Sequence, residues 1–265
     1  FGDNDSSRVI LPFYYSNRYL NTIKYQQTSL YDVKSGQIIW HSEDGNDIHL
    51  FLRCGQFSTY KLGAAVHCHC DILALLLSVK GKRIFVDRGT SYYNRDISFR
   101  DTDRSSFAHN CISFDGLEQA QMNGKWAYSS YPSSQVEIMK CAKNFFHFVG
   151  HISYGKSVLK REIHYEANTF EITDTFENFF SQKCYLNYTL DASLVLRQER
   201  NNTFYISDNT ADRICMILDE RMNAAIGETE IFEVYSKGIK TQKITGHFFV
   251  KDSSCQVYKT IIRIL

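Results

Sequence analysis

Evenly spaced strand-like segments fill the second half of the chain and limit its fold more than any other feature. The segments alternate apolar with polar residues or are rich in β-branched and aromatic residues, and turn formers such as Asn201 and Asn202 separate them. The predicted strands are Gln135–Ala142, Phe145–Ser153, Ser157–Tyr165, Thr169–Glu177, Lys183–Leu190, Thr203–Ser207, Arg213–Leu218, Thr229–Tyr235, Lys240–Phe249 and Gln256–Ile264. So many strands without intervening helices predict an all-β fold, a large two-sheet antiparallel β-sandwich (supersandwich).

Shorter strand patterns precede these segments. In chain order they are Gln37–Trp40, Ile48–Arg53, Asp71–Val79 and Arg83–Asp87. The last two form a predicted hairpin closed by Lys80-Gly81-Lys82.

The chain of 265 residues has room for one sizeable hydrophobic core. Weak periodicity predicts one or two short helices between Leu20 and Val33, and no boundary signal follows residue 40. We therefore expect a linker with short N-terminal segments over residues 1–40 and a single sandwich domain over residues 41–265.

Composition excludes several classes of protein. An apolar fraction of 43% and an aromatic fraction of 14% exclude a disordered chain, and no apolar run is long enough to cross a bilayer. A net charge of +1 gives no global attraction to nucleic acid or to a membrane surface, so neither is an expected partner. The cysteines lie mostly within strand patterns, where we expect free, buried thiols.

The stretch His67-Cys68-His69-Cys70-Asp71 is the first candidate for a functional site. On a β-strand, His67, His69 and Asp71 would share one face, and the two cysteines would share the opposite, apolar face. This arrangement predicts either the polar floor of a site or a hydrogen-bonded polar edge. It disfavours a zinc ion held by both cysteines and His69, because those side chains point to different faces.

Further polar motifs follow this stretch and complete a recognisable set. They are an Asp87-Arg88-Gly89 turn, an arginine-rich loop ending at Arg104, and Ala108-His109-Asn110 leading into Phe114-Asp115-Gly116. Together with His67-x-His69-x-Asp71, these motifs resemble the C-terminal sandwich domain of the heparinase II/III-like polysaccharide lyases.

The resemblance implies a metal site and a catalytic residue. A divalent ion, zinc rather than calcium, would be held by His69, Asp87 and His109, with a structural role. Two imidazoles and one carboxylate leave an open coordination position, as in many zinc sites. The resemblance also makes His67 an acid–base candidate in the substrate cleft. Two roles remain open for Asp71, which either orients a histidine or is a solvated carboxylate.

The resemblance further implies β-elimination at a uronic acid, with an acidic polysaccharide as the partner. Arg104 and Asn110 flank the Ala-His-Asn motif and are the candidates for substrate binding. The loop from Lys80 to Arg104 carries a local charge excess of +3, which suits a polyanion.

In the family, the remaining catalytic groups lie on an N-terminal helical toroid domain, which this sequence lacks. We therefore expect a parent protein that is a lyase and no turnover from this chain by itself. The family suggests the periplasm or the cell surface, while unpaired cysteines suit the cytoplasm equally well.

One geometric expectation conflicts with the metal assignment. A tight hairpin through Lys80-Gly81-Lys82 pairs Asp87 with Leu75, which would leave Asp87 roughly 20 Å from His69 along a straight strand. Either the strand bends near Asp71 or the hairpin turn lies elsewhere.

Two other functions remain open at this stage. His69, Asp71 and a distant His151, with Arg161 ten residues later, follow the order of the iron(II)/2-oxoglutarate oxygenases, whose two-histidine, one-carboxylate site also lies in a β-sandwich. The other alternative is a non-catalytic carbohydrate-binding or structural sandwich, in which a metal ion only clamps loops.

Overall fold

The structure is a computed structural model that describes residues 29–32, 36–55, 57, 67–92, 96–200, 202–234, 236–251 and 255–265. The strands are β1 (Ser29–Asp32), β2 (Gln37–His41), β3 (His49–Arg53), β4 (Leu75–Val79), β5 (Lys82–Phe85), β6 (Ile112–Phe114), β7 (Met122–Asn123), β8 (Ala127–Tyr128), β9 (Ser133–Ala142), β10 (Phe145–Tyr154), β11 (Ser157–Glu166), β12 (Thr169–Glu177), β13 (Gln182–Thr189), β14 (Val195–Arg200), β15 (Thr203–Ser207), β16 (Asp212–Leu218), β17 (Asn223–Val234), β18 (Lys237–Val250) and β19 (Cys255–Ile264). The described helices are α1 (Ile97–Arg104) and a single 3₁₀ turn (Ser106–Ala108).

Apart from β7 and β8, which form a small two-stranded sheet of their own, the strands build two layers of antiparallel sheet. One layer is an eight-stranded sheet in the order β14-β15-β16-β19-β12-β11-β10-β9. The other layer combines a five-stranded sheet, β1-β2-β3-β4-β5, with a four-stranded sheet, β17-β18-β13-β6. These two join where Phe85 pairs with Leu190 and the Val86 amide donates to the Thr189 carbonyl at 3.0 Å. The predicted all-β sandwich is therefore confirmed.

The core lies between the two layers and is built from alternating side chains. On β12 every second residue from Phe170 to Phe176 is buried, as the period of a strand with one core face requires. Trp40 of the five-stranded sheet packs on Phe146 and Tyr165 of the eight-stranded sheet, with ring centroids 5.3 and 5.2 Å apart. Aromatic contacts of this kind hold the layers together across the sandwich.

The predicted strands after residue 130 match the observed ones closely. β12 and β15 have the predicted bounds, and most of the others differ by only a few residues at their ends. The sequence did not predict β14, in which Leu196 is the one buried residue and the apolar pattern is correspondingly weak. It also did not predict α1, whose buried residues are Arg100, Asp103 and Arg104 and which therefore lacks an apolar stripe.

The five-stranded sheet begins earlier than the predicted domain boundary at residue 40. Both β1 and β2 pair within it, so these strands belong to the sandwich. Of the predicted helical stretch from Leu20 to Val33, the described part is the strand β1, and the remainder lies outside the described residues, as does the rest of the expected linker.

Candidate functional site

The stretch from His67 to Ala74 is a loop ending in a turn, which corrects the prediction that it begins a strand. His67 is exposed, whereas His69, Cys70, Asp71 and Ile72 are completely buried. Consecutive buried residues cannot come from the two alternating faces of a half-exposed strand. The expected polar pleat is therefore absent from this part of the described chain.

The turn at the end of this loop resolves the conflict over Asp87. Leu77 pairs with Phe85 in the β4–β5 hairpin, and continuing this register places Asp87 opposite Leu75, as the sequence predicted. The chain reverses at Leu73, where φ is +65°, and the Ala74 amide donates to the Asp71 carbonyl at 3.0 Å. The bend near Asp71 was one of the two predicted solutions, and it leads the chain back toward Asp87.

The reversal assembles His69, Asp87 and His109 into one buried cluster. His109 Nδ1 lies 2.6 Å from Asp87 Oδ2, and the imidazole centroids of His69 and His109 are 5.2 Å apart. Asp87 Oδ1 accepts a hydrogen bond of 2.9 Å from the Gly89 amide. Burial raises the pKa of the Asp87 carboxyl, but His109 and the Gly89 amide outweigh this, so the pKa lies below its ordinary value of 3.8.

The cluster fits a divalent metal ion in its donor types. Nε2 of His109 is buried and has no hydrogen-bond partner among the residues that the structure describes, and such an atom is suited to an ion. The ligand atoms of His69, Asp87 and His109 do not all lie within 4.8 Å of one another, however. Within the described residues, the three-residue group whose ligand atoms all lie within 4.8 Å of one another is a different one, His41, Asp47 and His49.

Arg53 of β3 holds the His67–Ala74 loop in place. Its Nη1 donates to the His69 carbonyl at 3.1 Å and forms an ion pair with Asp71, and its Nη2 donates to the Phe57 carbonyl at 3.1 Å. Asp71 is therefore not a solvated carboxylate. It neutralises a buried arginine, and the pair fixes the loop that carries His69.

Arg104 does not lie where a substrate-binding residue must lie, which corrects that prediction. Its side chain is fully buried, and Nη2 donates to Asp101 Oδ1 at 2.5 Å and to the Gly124 carbonyl at 2.8 Å. The guanidinium stacks on Tyr128, with its carbon 5.0 Å from the ring centroid. The backbone carbonyl of Arg104 accepts a hydrogen bond of 2.8 Å from the Cys70 amide, and this bond helps to hold the His67–Ala74 loop.

Asn110 also proves to be structural. Its Nδ2 donates to the carbonyls of Leu75 and Val86, both at 3.0 Å, and its Oδ1 accepts the Thr189 amide at 2.7 Å. These bonds join β4, the end of β5 and β13 inside the core. The side chain is 1% exposed and fully engaged, so it cannot also bind a polysaccharide.

The predicted basic patch after β4 is largely neutralised within the fold. Arg83 contacts Asp191 at 2.5 Å, and Arg88 contacts Asp103 at 3.1 Å. Arg100 is fully buried. A charge count along the sequence overstated the field that this loop presents to a polyanion, because it did not include Asp191, the partner of Arg83 from a distant part of the chain.

The structure instead reveals a cationic and aromatic surface that the sequence analysis missed. We call it the Lys183–Lys243 face. Lys243 Nζ lies 4.1 Å from the Phe107 ring centroid, and Lys183 Nζ lies 5.2 Å from that of Tyr185. Tyr185 pairs with His247 across β13 and β18. Phe107 belongs to the 3₁₀ turn that ends immediately before His109, so this face borders the candidate site.

Comparison with known proteins identifies the family. A family model described as heparinase II/III-like, C-terminal, matches residues 30–259. The chain belongs to this family. Comparison with curated protein sequences finds no match.

Solved structures share the fold of this heparinase II/III-like domain. A heparan sulfate lyase, HepC, from Pedobacter heparinus aligns with a TM-score of 0.78 at 15% identity, over 100% of this chain and 43% of that one. A heparinase III gene product with methylated lysines aligns with a TM-score of 0.76 at 17% identity, over 100% of this chain and 42% of that one. The domain thus spans less than half the length of these proteins.

The oxygenase alternative fails on the geometry of this heparinase II/III-like domain. Arg161, the arginine of this alternative, is fully buried in an ion pair with Asp174. Asp71 is engaged by Arg53, and His151 Nδ1 lies 2.8 Å from Glu137 Oε1 on the eight-stranded sheet. The residues of this alternative therefore serve separate contacts.

Gly89 sets the position of Asp87, and Gly89→Ala is expected to lower the free energy of unfolding by about 2–3 kcal/mol. Its φ is +74°, and an added Cβ would lie 2.5 Å from the Phe232 carbonyl oxygen. Urea denaturation measures the effect. Gly81→Ala is the matched control, because Gly81 has φ of +71° but open space around it, and about 1 kcal/mol is expected. Equal losses in the two variants would show that the contact with Phe232 is unimportant.

No helix in the described part of this heparinase II/III-like domain is both long and apolar enough to span a membrane.

Proposed function

We propose that this chain is the sandwich part of a polysaccharide lyase that cleaves a uronic-acid-containing polysaccharide by β-elimination. The observation that carries the proposal is an exposed imidazole, His67, two residues from the buried His69–Asp87–His109 cluster. Family membership supports it, because the matched family takes its name from heparinases.

The chemistry assigns separate tasks to the site. The proton on C5 of a uronate becomes removable only when the neighbouring carboxylate is neutralised, and the departing glycosidic oxygen must then receive a proton. His67 is the group of this chain that transfers a proton at the cleft. The Lys183–Lys243 face holds the acidic groups of the polysaccharide beside it. The remaining catalytic groups come from an N-terminal helical domain of the parent protein.

His69, Asp87 and His109 hold a divalent ion in this proposal. Zinc suits the set better than calcium, because imidazole nitrogen is a ligand for zinc whereas calcium takes oxygen ligands. When bound, the ion would supply positive charge between the His67–Ala74 loop and the turn after β5. The loop then presents His67 in a fixed direction.

The proposal is tested by an elimination assay and by a binding assay. The chain joined to its N-terminal helical domain is expected to release products whose C4–C5 double bond, conjugated to the carboxylate, absorbs ultraviolet light. The sandwich alone is expected to bind immobilised heparin, and Lys183→Ala/Lys243→Ala is expected to elute at lower salt because charge on this face is lost. Lys140→Ala/Lys143→Ala, at the turn end of the β9–β10 hairpin in the other layer, is the control with an equal change in charge.

The outcomes separate the proposal from its alternative. Binding that depends on the Lys183–Lys243 face, without elimination by the joined protein, would establish the non-catalytic carbohydrate-binding sandwich instead. Equal elution of both double variants would remove the face from the proposal.

A further inference from the structure

A second group of possible metal ligands lies at the end of the β2–β3 hairpin. His41 is the last residue of β2 and His49 the first of β3, and the two are paired directly across the strands. Their rings stack with centroids 4.3 Å apart and an interplanar angle of 21°. Asp47 lies in the connecting loop, with φ of +46°. Its carboxylate lies close to Nε2 of both imidazoles. The group shares no residue with the cluster around His109.

Two of the three distances between the ligand atoms are close to those around a tetrahedral ion. Asp47 Oδ1 lies 2.9 Å from His41 Nε2 and 3.3 Å from His49 Nε2, and all three ligand atoms lie within 4.8 Å of one another. Ligands about 2.0–2.1 Å from a tetrahedral zinc ion are about 3.3 Å from each other. Asp47 Oδ1 and either imidazole nitrogen therefore need only small shifts to contact one ion, and the partly exposed side chains leave a coordination position for water.

The loop that carries Asp47 is held rigidly, so the spacing is built into the fold. The Ser42 amide donates to the Ile48 carbonyl at 2.9 Å, which closes the base of the loop. Asp44 Oδ2 accepts a hydrogen bond of 2.6 Å from the hydroxyl of Tyr165 in the opposite layer. Asn46 Nδ2 donates to Asn168 Oδ1 at 2.7 Å. A site held in this way pays little ordering entropy on binding.

We propose that His41, Asp47 and His49 form a zinc-type metal site that clamps the β2–β3 loop. Two imidazole nitrogens and one carboxylate oxygen favour zinc and similar transition-metal ions over calcium or magnesium, which take oxygen ligands. An ion bound here joins the ends of both strands to the loop between them. It therefore stabilises the loop end of two interior strands of the five-stranded sheet, independently of any lyase activity.

The protein contains its own matched comparison. His147 and His164 also pair directly across two strands, β10 and β11, and His147 Nε2 lies 2.7 Å from Glu162 Oε1. Their rings meet edge to face with centroids 5.8 Å apart, rather than stacked. A paired histidine with a nearby carboxylate is thus present in both places, but the compact three-ligand geometry is present only on the β2–β3 hairpin among the described residues.

The test is zinc titration of the metal-stripped chain by calorimetry, with melting temperature followed in parallel. His41→Gln, Asp47→Asn and His49→Gln are each expected to lose one equivalent of zinc relative to the unmodified chain, or to bind it more than about tenfold more weakly. The zinc-dependent rise in melting temperature shrinks in the same variants. His147→Gln keeps both, and excess calcium does not displace the zinc.

The stoichiometric difference makes the result independent of the cluster around His109. A zinc ion bound there remains in all four variants and cancels in the comparison. Because the substituted side chains are partly exposed, the variants are expected to fold, and circular dichroism checks this. Identical zinc stoichiometry and affinity in the unmodified chain and in the three hairpin variants would overturn the proposal.

Discussion

Asp174→Ala is expected to lower the free energy of unfolding by about 3–5 kcal/mol, because it leaves the guanidinium of Arg161 buried without its counter-charge. Arg161 and Asp174 face each other on β11 and β12, with side chains 0% and 2% exposed. Two parallel hydrogen bonds join them, of 2.7 Å from Nε to Oδ1 and 2.9 Å from Nη2 to Oδ2. Urea denaturation followed by circular dichroism measures the loss.

Two further variants separate the buried charge from the loss of a contact. Arg161→Met/Asp174→Leu removes both charges and is expected to recover most of the stability, since apolar residues of similar size replace a buried pair well. Asp212→Ala breaks an exposed ion pair, in which the side chains of Arg197 and Asp212 are 54% and 38% exposed. It is expected to lower the free energy of unfolding by less than about 1 kcal/mol. A loss from Asp174→Ala no larger than that from Asp212→Ala would contradict the argument.

The same pair connects the core with the candidate site. Arg161 Nη1 donates to the carbonyl of Leu73 at 2.8 Å, and Leu73 is the residue at which the chain turns back toward Asp87. The eight-stranded sheet thus fixes the turn that places His69. We expect Asp174→Ala to disturb the His67–Ala74 loop as well as the global stability.

The sandwich was predictable because one-sided burial imposes an alternating pattern on each strand. β12 shows this pattern clearly, with Phe170, Ile172 and Phe176 on its buried face. Asp174 falls in the same alternation, yet a single sequence does not reveal that a charged residue there faces inward. Its inward position requires the register with β11, which places Arg161 opposite it.

The site was less predictable, because its geometry depends on contacts between distant segments. The alternation in the motif His67-x-His69-x-Asp71 resembles that of a strand. The chain turns at Leu73, where φ is positive, and a leucine gives no sequence signal for this backbone conformation, because leucine rarely adopts it. Arg53 and Asp71 pair across the loop, and no local pattern predicts that contact. The family resemblance named segments that the fold brings together, while local geometry decided which of their side chains are buried.

Surface position was predicted least well. Adjacency to the Ala-His-Asn motif suggested that Arg104 binds substrate, but the side chain is buried against Tyr128. Apart from Phe107, the Lys183–Lys243 face consists of residues that alternate along β13 and β18 and could have been placed on one face of each strand. Their assembly depends on the pairing of these two strands, which are far apart in sequence.

His67→Ala, in the chain joined to its N-terminal helical domain, is expected to lower kcat by about 10²–10⁴-fold, the usual contribution of a positioned acid or base. This prediction rests on the proposed lyase function. His67 is exposed, so its removal opens no core cavity. Melting temperature and metal content are therefore expected to stay unchanged, and the ultraviolet elimination assay measures the loss of turnover.

The pattern of effects, rather than the loss alone, identifies the role of His67. A proton-transfer group lowers kcat more than it raises KM, and its loss removes one limb of the pH–rate profile. A residue that only binds polysaccharide would instead raise KM with little change in kcat, as expected for Lys183→Ala. His147→Ala, on the eight-stranded sheet, is the control and should leave kcat, KM and the pH–rate profile unchanged. A decrease in kcat below about tenfold, or one accompanied by loss of metal, would assign the chemistry to another residue, because general acid–base catalysis contributes more than that.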